Sequence, residues 1–360
     1  MSHHDGCCGS HHHVHDEEEP SSTDDAAELE EMNHFYEIVD SFANYRNDSL
    51  ASLSDSDKRT RAAIDINTLF TDKIVEIGGS LFGPRRSSDA GNPLPRNISK
   101  VRSTLKQFVR EWSSEGKAER DSCFVPIIEA LKSHLPIGAF VVCPGSGLGR
   151  LPYEIAKAGF DAQGNEFSYH MILGSYLLLN GDMALTTESI ALFPFALNYS
   201  DSVSDQTRLR AVKIPDEVPA TTSGRMSMCA GEFVEVYEKQ GIGFADGVVT
   251  CFFIDTAKNI MLYIRTIAGM IRQDGIWVNI GPLLFHYAEQ DDSISVELCW
   301  EEIRELIQTY FTIEQEEYPV ECVYSSNCES LFATKYNCVF FVAKRNNVEL
   351  NGFSNPVFDI

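Results

Sequence analysis

Residues 143–168 read CPGSGLGRLPYEIAKAGFDAQGNEFS, and the fold turns on what this stretch is. Glycines stand at 145, 147 and 149, a helical pattern follows in PYEIAKAGF, and Glu166 lies 21 positions after Gly145. Glycines let a chain turn tightly and bring backbone N–H groups close to a ligand, yet many loops are glycine-rich and the bare motif says little. Its surroundings say more. GAFVVC, just ahead of the turn, reads as a buried parallel strand, and AQGNEFS reads as the end of the next. An acid at that second strand end is placed to grip two ribose hydroxyls. The plain alternative is a glycine turn that only joins a strand to a helix.

Downstream, strand and helix keep alternating. MILGSYLLLNG reads as a helix, GVVTCFFID as a strongly apolar strand, AKNIMLYIRTIAGMIRQDG as a helix closed by glycine, and IWVNIGPLL as the next strand. After the amphipathic helix VELCWEEIRELIQTYF, the runs FTIEQEEYPV and YNCVFFVAKR are close enough to pair as an antiparallel hairpin at a sheet edge. Residues 198–230, polar and proline-bearing, read as an insertion across the top of the sheet, and TRLRAVKIPDEVP within them as a loop. Glu301 and Glu302 read as exposed helix charge. The order is that of a doubly wound α/β sheet.

Upstream the pattern is helical. From His34, Phe35, Ile38, Val39, Phe42 and Tyr45 recur at three- and four-residue spacings, and a second helical region covers about 58 to 77. Residues 78–96, rich in Gly, Pro and Ser and carrying Arg85 and Arg86, read as a loop. A helix from near Ser99 aligns Val101, Leu105, Phe108, Val109 and Trp112, and FVPIIEALKSHL is one more. Residues 1–31 hold six of the ten histidines, ten acids and no Lys or Arg, so they are expected to be a disordered tail. His3, His4, Cys7, Cys8 and His11 to His13 cluster there without the spacing of a structural metal site, and no metal is expected. The expected division is this tail, a helical region over 32–135 and an α/β domain over 136–360.

The 360 residues, 43% of them hydrophobic, suffice for a large core. The net charge of −24 opposes a nucleic-acid surface, which needs clustered Lys and Arg. No apolar run reaches the roughly 18 to 20 residues of a membrane span, and no export signal is read, so no membrane partner is expected and the expected home is the cytosol, with the nucleus open. Ten scattered cysteines, among them Cys143, Cys251 and Cys338 in apolar runs, are expected to stay reduced. A homodimer is left open.

Dinucleotide enzymes carry their third glycine one place later than Gly149, where this chain has Arg150. A GxGxG turn with a ribose-binding acid also describes methyltransferases that use S-adenosylmethionine, whose seven-stranded sheet ends in an antiparallel hairpin. The expected fold is therefore α/β, a Rossmann-like seven-stranded methyltransferase sheet with an N-terminal helical extension. LKQFVREWSSEGKAERD, PGSGLGRLPYEIAKAGFDAQGNEFS, TCFFIDTAKN, IWVNIGPLLFH and YNCVFF, in that order, resemble the carnosine N-methyltransferase family from about residue 32 onward. The resemblance implies methyl transfer from S-adenosylmethionine to the imidazole of carnosine, giving anserine, or to a related histidine dipeptide. It places Gln107 and Arg110 against the cofactor, Gly145, with Gly147 beside it, at the methionine end, Glu166 at the ribose, Glu232 and Phe233 at the adenine, and Cys251 nearby. Glu232 stands where the family commonly has Asp. Asp255, His286 and Tyr336 match the positions that hold the imidazole, and the family's attacked nitrogen is the one nearer the side-chain carbon.

These three residues also have readings of their own. Asp255 ends an apolar strand, so it lies at the ligand-facing edge or caps the helix that follows. His286 sits just past a strand, and Tyr336 precedes one and on its own reads simply as core. Methyl transfer needs the nitrogen, methyl and sulfur in line, with a neutral imidazole whose other N–H is held. An Asp255 carboxylate accepting that N–H selects the tautomer and receives the proton, with His286 and Tyr336 as positioning contacts. Alternatives are another histidine compound or protein histidine as acceptor, a non-catalytic binding protein, and a dehydrogenase.

Overall fold

The computed structural model describes residues 22–350 apart from 52, 55–56, 84–93, 181–185, 220–221, 223, 289–293 and 325–326. Five helices come first: α1 (Ser22–Ala43), α2 (Tyr45–Ala51), α3 (Lys58–Phe82), α4 (Pro95–Trp112) and α5 (Lys117–His134). Then follow β1 (Phe140–Pro144), α6 (Arg150–Lys157), β2 (Asp161–Glu166), α7 (Tyr169–Asn180), β3 (Ile190–Leu192), α8 (Asp205–Arg208), β4 (Val212–Ile214) and β5 (Met226–Ala230). The chain continues through α9 (Phe233–Glu238), β6 (Ala245–Cys251), α10 (Ile260–Met270), β7 (Ile271–Gly281), α11 (Trp300–Tyr310), β8 (Phe311–Val323) and β9 (Lys335–Arg345).

Seven strands form one sheet in the order β5-β2-β1-β6-β7-β9-β8. The first five run parallel, and β9 pairs antiparallel with both β7 and β8. A parallel sheet covers both faces with helices, and the central strands β1 and β6 and the second half of β7 are accordingly apolar and buried. Cys123, Ile127 and Leu131 of α5 and Ile155 of α6 pack on one face, and Tyr237, Ile264, Ile267 and Ile303 of α9, α10 and α11 on the other. A third core joins the N-terminal helices to α7: Phe35, Phe42, Phe70, Val101, Leu105 and Phe108 meet Leu173 and Leu177. The apolar stripe read in α4 is the stripe that is buried there, with Trp112 wholly enclosed.

Four boundaries differ from the sequence reading. The expected tail overlaps α1, whose helix begins at Ser22 rather than near His34. Ala27, Glu28, Leu29, Glu30 and Glu31 are strong helix formers, and Tyr169 Oη donates to Glu31 at 2.6 Å. The remaining tail residues, including the His and Cys cluster, lie outside the described residues, as do Arg85 and Arg86. The expected loop from 78 starts late, because α3 runs on to Phe82. Gly78 lies within that helix and lets α1 pack close, since a Cβ would lie 2.7 Å from the Val39 side chain. Residues 257–275 are not one helix: α10 stops at Met270 and β7 starts at once. Ala245 pairs with Ile271 and Gly247 with Ile276, so 272–275 bulge out, and a Cβ on Gly275 would lie 2.5 Å from Asp246 O. Lastly, residues 226–230 of the expected insertion are the parallel edge strand β5, in register with β2 from Ala162↔Met226 to Glu166↔Ala230.

The rest of that segment is bolted to the helical layer. Arg208, buried, donates to Thr60 Oγ1 and to Ala196 O, and Asp216 N–H donates to Trp112 O at 2.9 Å. The loop between β8 and β9 reaches it too, Ser330 Oγ donating to Asp201 O at 3.0 Å.

Candidate active site

The turn after β1 has positive φ at all three glycines: 67° at Gly145, 56° at Gly147 and 82° at Gly149. It is also too crowded for side chains. A Cβ on Gly145 would stand 2.4 Å from the Phe253 ring, and one on Gly147 2.5 Å from the Glu111 carboxylate.

The donors of this turn are already engaged. Glu166, at the end of β2, accepts from Gly147 N–H at 2.8 Å through one oxygen, and from Phe167 N–H at 2.9 Å and Ser168 N–H at 2.8 Å through the other. Glu111, on α4, accepts from Leu148 N–H and Arg150 N–H, each at 3.2 Å. Ser146 N–H donates to Asn165 O and Gly149 N–H to Ser146 O. A pyrophosphate on a helix N-terminus needs such N–H groups free. Here two of the chain's own carboxylates occupy them, which suits a nucleoside ligand without phosphates. Burial pushes the Glu166 carboxyl above its ordinary range, its three backbone donors pull it back, and the nearby Glu111 charge adds to the rise.

Arg150 explains itself. Its guanidinium donates to Asp216 at 2.7 Å, to Glu154 at 2.8 Å and to Glu111 O at 3.0 Å, and stands 4.8 Å over the Trp112 ring. Arg120 donates to the other Asp216 oxygen at 2.6 Å. The pair clamps 207–219 beside the turn.

A cleft opens next to Gly145, lined by Gln107, Arg110, Cys251, Phe252 and Tyr324 among others. Gln107 Nε2 donates to Glu111 at 2.7 Å. Arg110 Nε donates to Glu119 at 2.7 Å and its guanidinium lies 4.6 Å over the Tyr324 ring. Arg110 Nη2 is buried and has no partner among the described residues, a donor open to a ligand carboxylate. Cys251, half-buried, has its thiol hydrogen-bonded to the free thiol of Cys123, which, with burial, pushes its pKa up.

Asp255 sits in a single 3₁₀ turn just past β6, 3% exposed. It does not cap the following helix, since Asn259 does that, accepting from Met261 and Leu262 N–H. Instead Asp255 Oδ2 accepts from Leu284 N–H at 2.9 Å and its carbonyl from His286 N–H at 3.1 Å. Burial raises the Asp255 carboxyl; the Leu284 N–H and the His286 charge pull it down. His286 is exposed at the end of the β7 extension. Tyr336 is half-buried, its ring centroid 5.9 Å from Phe252 and 6.3 Å from Tyr324. The structure thus joins Asp255 to His286 and sets Tyr336 in an aromatic group three residues from Asp255 along the chain, at Phe252.

The two residues expected at the adenine each have a structural partner as well. Glu232 caps α9, accepting from Glu235 N–H at 2.9 Å, and burial raises its pKa. Phe233 is 3% exposed, its ring edge-on to Tyr237, Phe253 and Tyr263, so it supports the strand end from within the core.

Sequence reading missed Glu111, Phe252, Tyr324 and Asp216. Phe252 takes φ 54°, a left-handed conformation that is an outlier for a bulky side chain and gathers at functional sites. No sequence signal marks it. Glu111 carried one weak sign: it lies one turn past Gln107 on the same helix.

A doubly wound sheet with an antiparallel last pair, a glycine turn filled by carboxylates and an acid at the β2 end define a Rossmann-like methyltransferase that uses S-adenosylmethionine. Within that class the sequence profile of the carnosine N-methyltransferase family matches residues 87–347. The chain belongs to this family. Its relatives include the carnosine N-methyltransferase of Rattus norvegicus, 32% identical over 88% of this chain and 87% of that protein. That of Mus musculus is 37% identical over 69% of this chain and 64% of that one. That of Dictyostelium discoideum is 33% identical over 88% and 77%.

Proposed function

We propose that this enzyme moves a methyl group from S-adenosylmethionine to an imidazole nitrogen of carnosine, giving anserine, with Asp255 orienting the ring. The cofactor supplies a methyl made electrophilic by positive sulfur. Arg110 Nη2 and the Gln107 amide are the groups for its methionine end, and Glu166 for its ribose. Gly145 and Gly147 let the backbone approach, Cys251 borders the same cleft, and Glu232 and Phe233 shape the adenine side. Asp255, ionised, accepts the N–H of the ring nitrogen that is not attacked, so the lone pair points at the methyl from the nitrogen nearer the side-chain carbon. As the ring gains charge, the carboxylate stabilises it and then takes the proton. His286 and Tyr336 position the acceptor.

The observation that carries the reading is Asp255 itself: a buried carboxylate in the turn just past β6, relieved of helix capping by Asn259, with the Asp255 backbone carbonyl also accepting the His286 N–H. Asp255→Asn should lower kcat with carnosine by about a hundredfold or more while binding S-adenosylhomocysteine as the wild type does. Wild-type turnover in that variant removes Asp255 from the mechanism.

All these residues come from one chain, so the reading makes no demand for a dimer. Among the described residues no helix is long and apolar enough to cross a membrane. The acidic composition supports a small-molecule partner over nucleic acid, and the eight described cysteines, all free, support a reducing compartment, the cytosol or nucleus.

A further inference from the structure

We infer that Glu111 is a positioning residue for the cofactor, holding the glycine turn and Gln107 in one fixed arrangement; this rests on the turn being the cofactor's seat. Glu111 is 3% exposed and belongs to α4, outside the sheet. One oxygen accepts from Gln107 Nε2 at 2.7 Å and Leu148 N–H at 3.2 Å, the other from Arg150 N–H at 3.2 Å. A buried carboxylate is costly unless its lone pairs are met, and here donors from two separate elements meet them. The negative charge also sits at the N-terminus of α6, where the helix dipole favours it.

Two consequences follow from this geometry. The carboxylate ties α4, which carries Gln107 and Arg110, to the turn that carries Gly145 and Gly147, so both walls of the cleft share one anchor. It also dictates which end of the Gln107 amide faces the cleft: the NH₂ is engaged by Glu111, and the carbonyl oxygen is left for a ligand N–H. Glu111→Gln removes the charge and sets an NH₂ against backbone and side-chain donors. The turn then loses one fastening, and Gln107 loses the partner that orients it.

Calorimetric titration of S-adenosylhomocysteine into the wild type, Glu111→Gln and Glu166→Gln, with steady-state kinetics on each, tests this. Glu111→Gln should bind about tenfold more weakly or worse, and KM for S-adenosylmethionine should rise in step. Its kcat at saturating cofactor should stay within about threefold and KM for the acceptor should hold. A merely structural role gives another pattern, because partial unfolding lowers the active fraction and hence kcat while leaving KM alone. Amide exchange at Leu148 and Arg150 should speed up as their acceptor weakens. Wild-type affinity in Glu111→Gln beside a weakened Glu166→Gln overturns the inference and spares the seat, as does lost kcat at unchanged KM. Wild-type affinity in Glu166→Gln overturns the seat and the inference with it. If Glu111→Gln does not fold, Glu111→Asp, which keeps the charge but draws it back by one methylene, carries the same expectations.

Discussion

Arg150 is the residue at which this turn parts from a dinucleotide site, and the structure shows what stands in the glycine's place. Its guanidinium and that of Arg120 share the Asp216 carboxylate, both nearly sealed from solvent. Breaking a buried pair from one side leaves an uncompensated charge; without Asp216, Arg120 would lose its carboxylate partner while Arg150 would keep Glu154. Asp216→Ala should therefore lose about 3–5 kcal/mol of stability in urea unfolding, far more than a surface pair would cost. Asp255 yields a prediction in pH. Its ionised form accepts the ring N–H, burial raises its pKa, and the His286 charge pulls it back. Replacing that histidine lets the pKa climb further, so in His286→Gln the acid limb of kcat should move to higher pH. An unmoved limb would separate the two residues. Asp255 stood out in sequence as a polar residue closing an apolar run, although the strand itself ends at Cys251 and Asp255 lies in the turn beyond it. Phe252 did not, because its role comes from a left-handed backbone angle that composition does not encode.

Elements with strong periodicity were legible, and their ends were not. The α4 stripe and the β8–β9 hairpin stand where the pattern put them, because burial on one face imposes a period. The glycines at 78 and 275 misled, since each is there for close packing and the sequence pattern reads them as breaks. His170, on α7, shows how the helical layer is held. Its Nε2 lies 3.1 Å from Asn97 O and 3.2 Å from Ser41 Oγ, joining α4 and α1. Burial, with the Lys100 charge, pushes its pKa down to about 4. The unfolded chain, titrating near 6.5, then binds the proton more readily than the folded one. The neutral contact contributes fully above that value, and the contribution fades as pH falls towards 4, up to about 3 kcal/mol. Urea unfolding at pH 7 and at pH 5 should show this loss in the wild type and much less of it in His170→Gln. Equal pH dependence in both would place the acid sensitivity elsewhere.

At the scale of the whole molecule, a seven-stranded sheet carries the strand ends, and a helical layer closes one side of the cleft. That layer was legible as helices but not as part of the site, because the contact of Glu111 with Leu148 spans 37 residues and no local pattern reports it. The resemblance of ordered motifs supplied Gln107 and Arg110, which periodicity alone would leave as surface polar residues. On the proposed mechanism this framework delivers a methyl group to one imidazole nitrogen. A single turnover with S-adenosylmethionine labelled with ¹³C at the methyl, and carnosine as acceptor, followed by NMR, tests it most directly. One new N-methyl signal, coupled through the ring to the imidazole carbons and on the nitrogen nearer the side chain, is expected. A methyl on the free amine, or a cofactor that binds and stays intact beside carnosine, would contradict that mechanism.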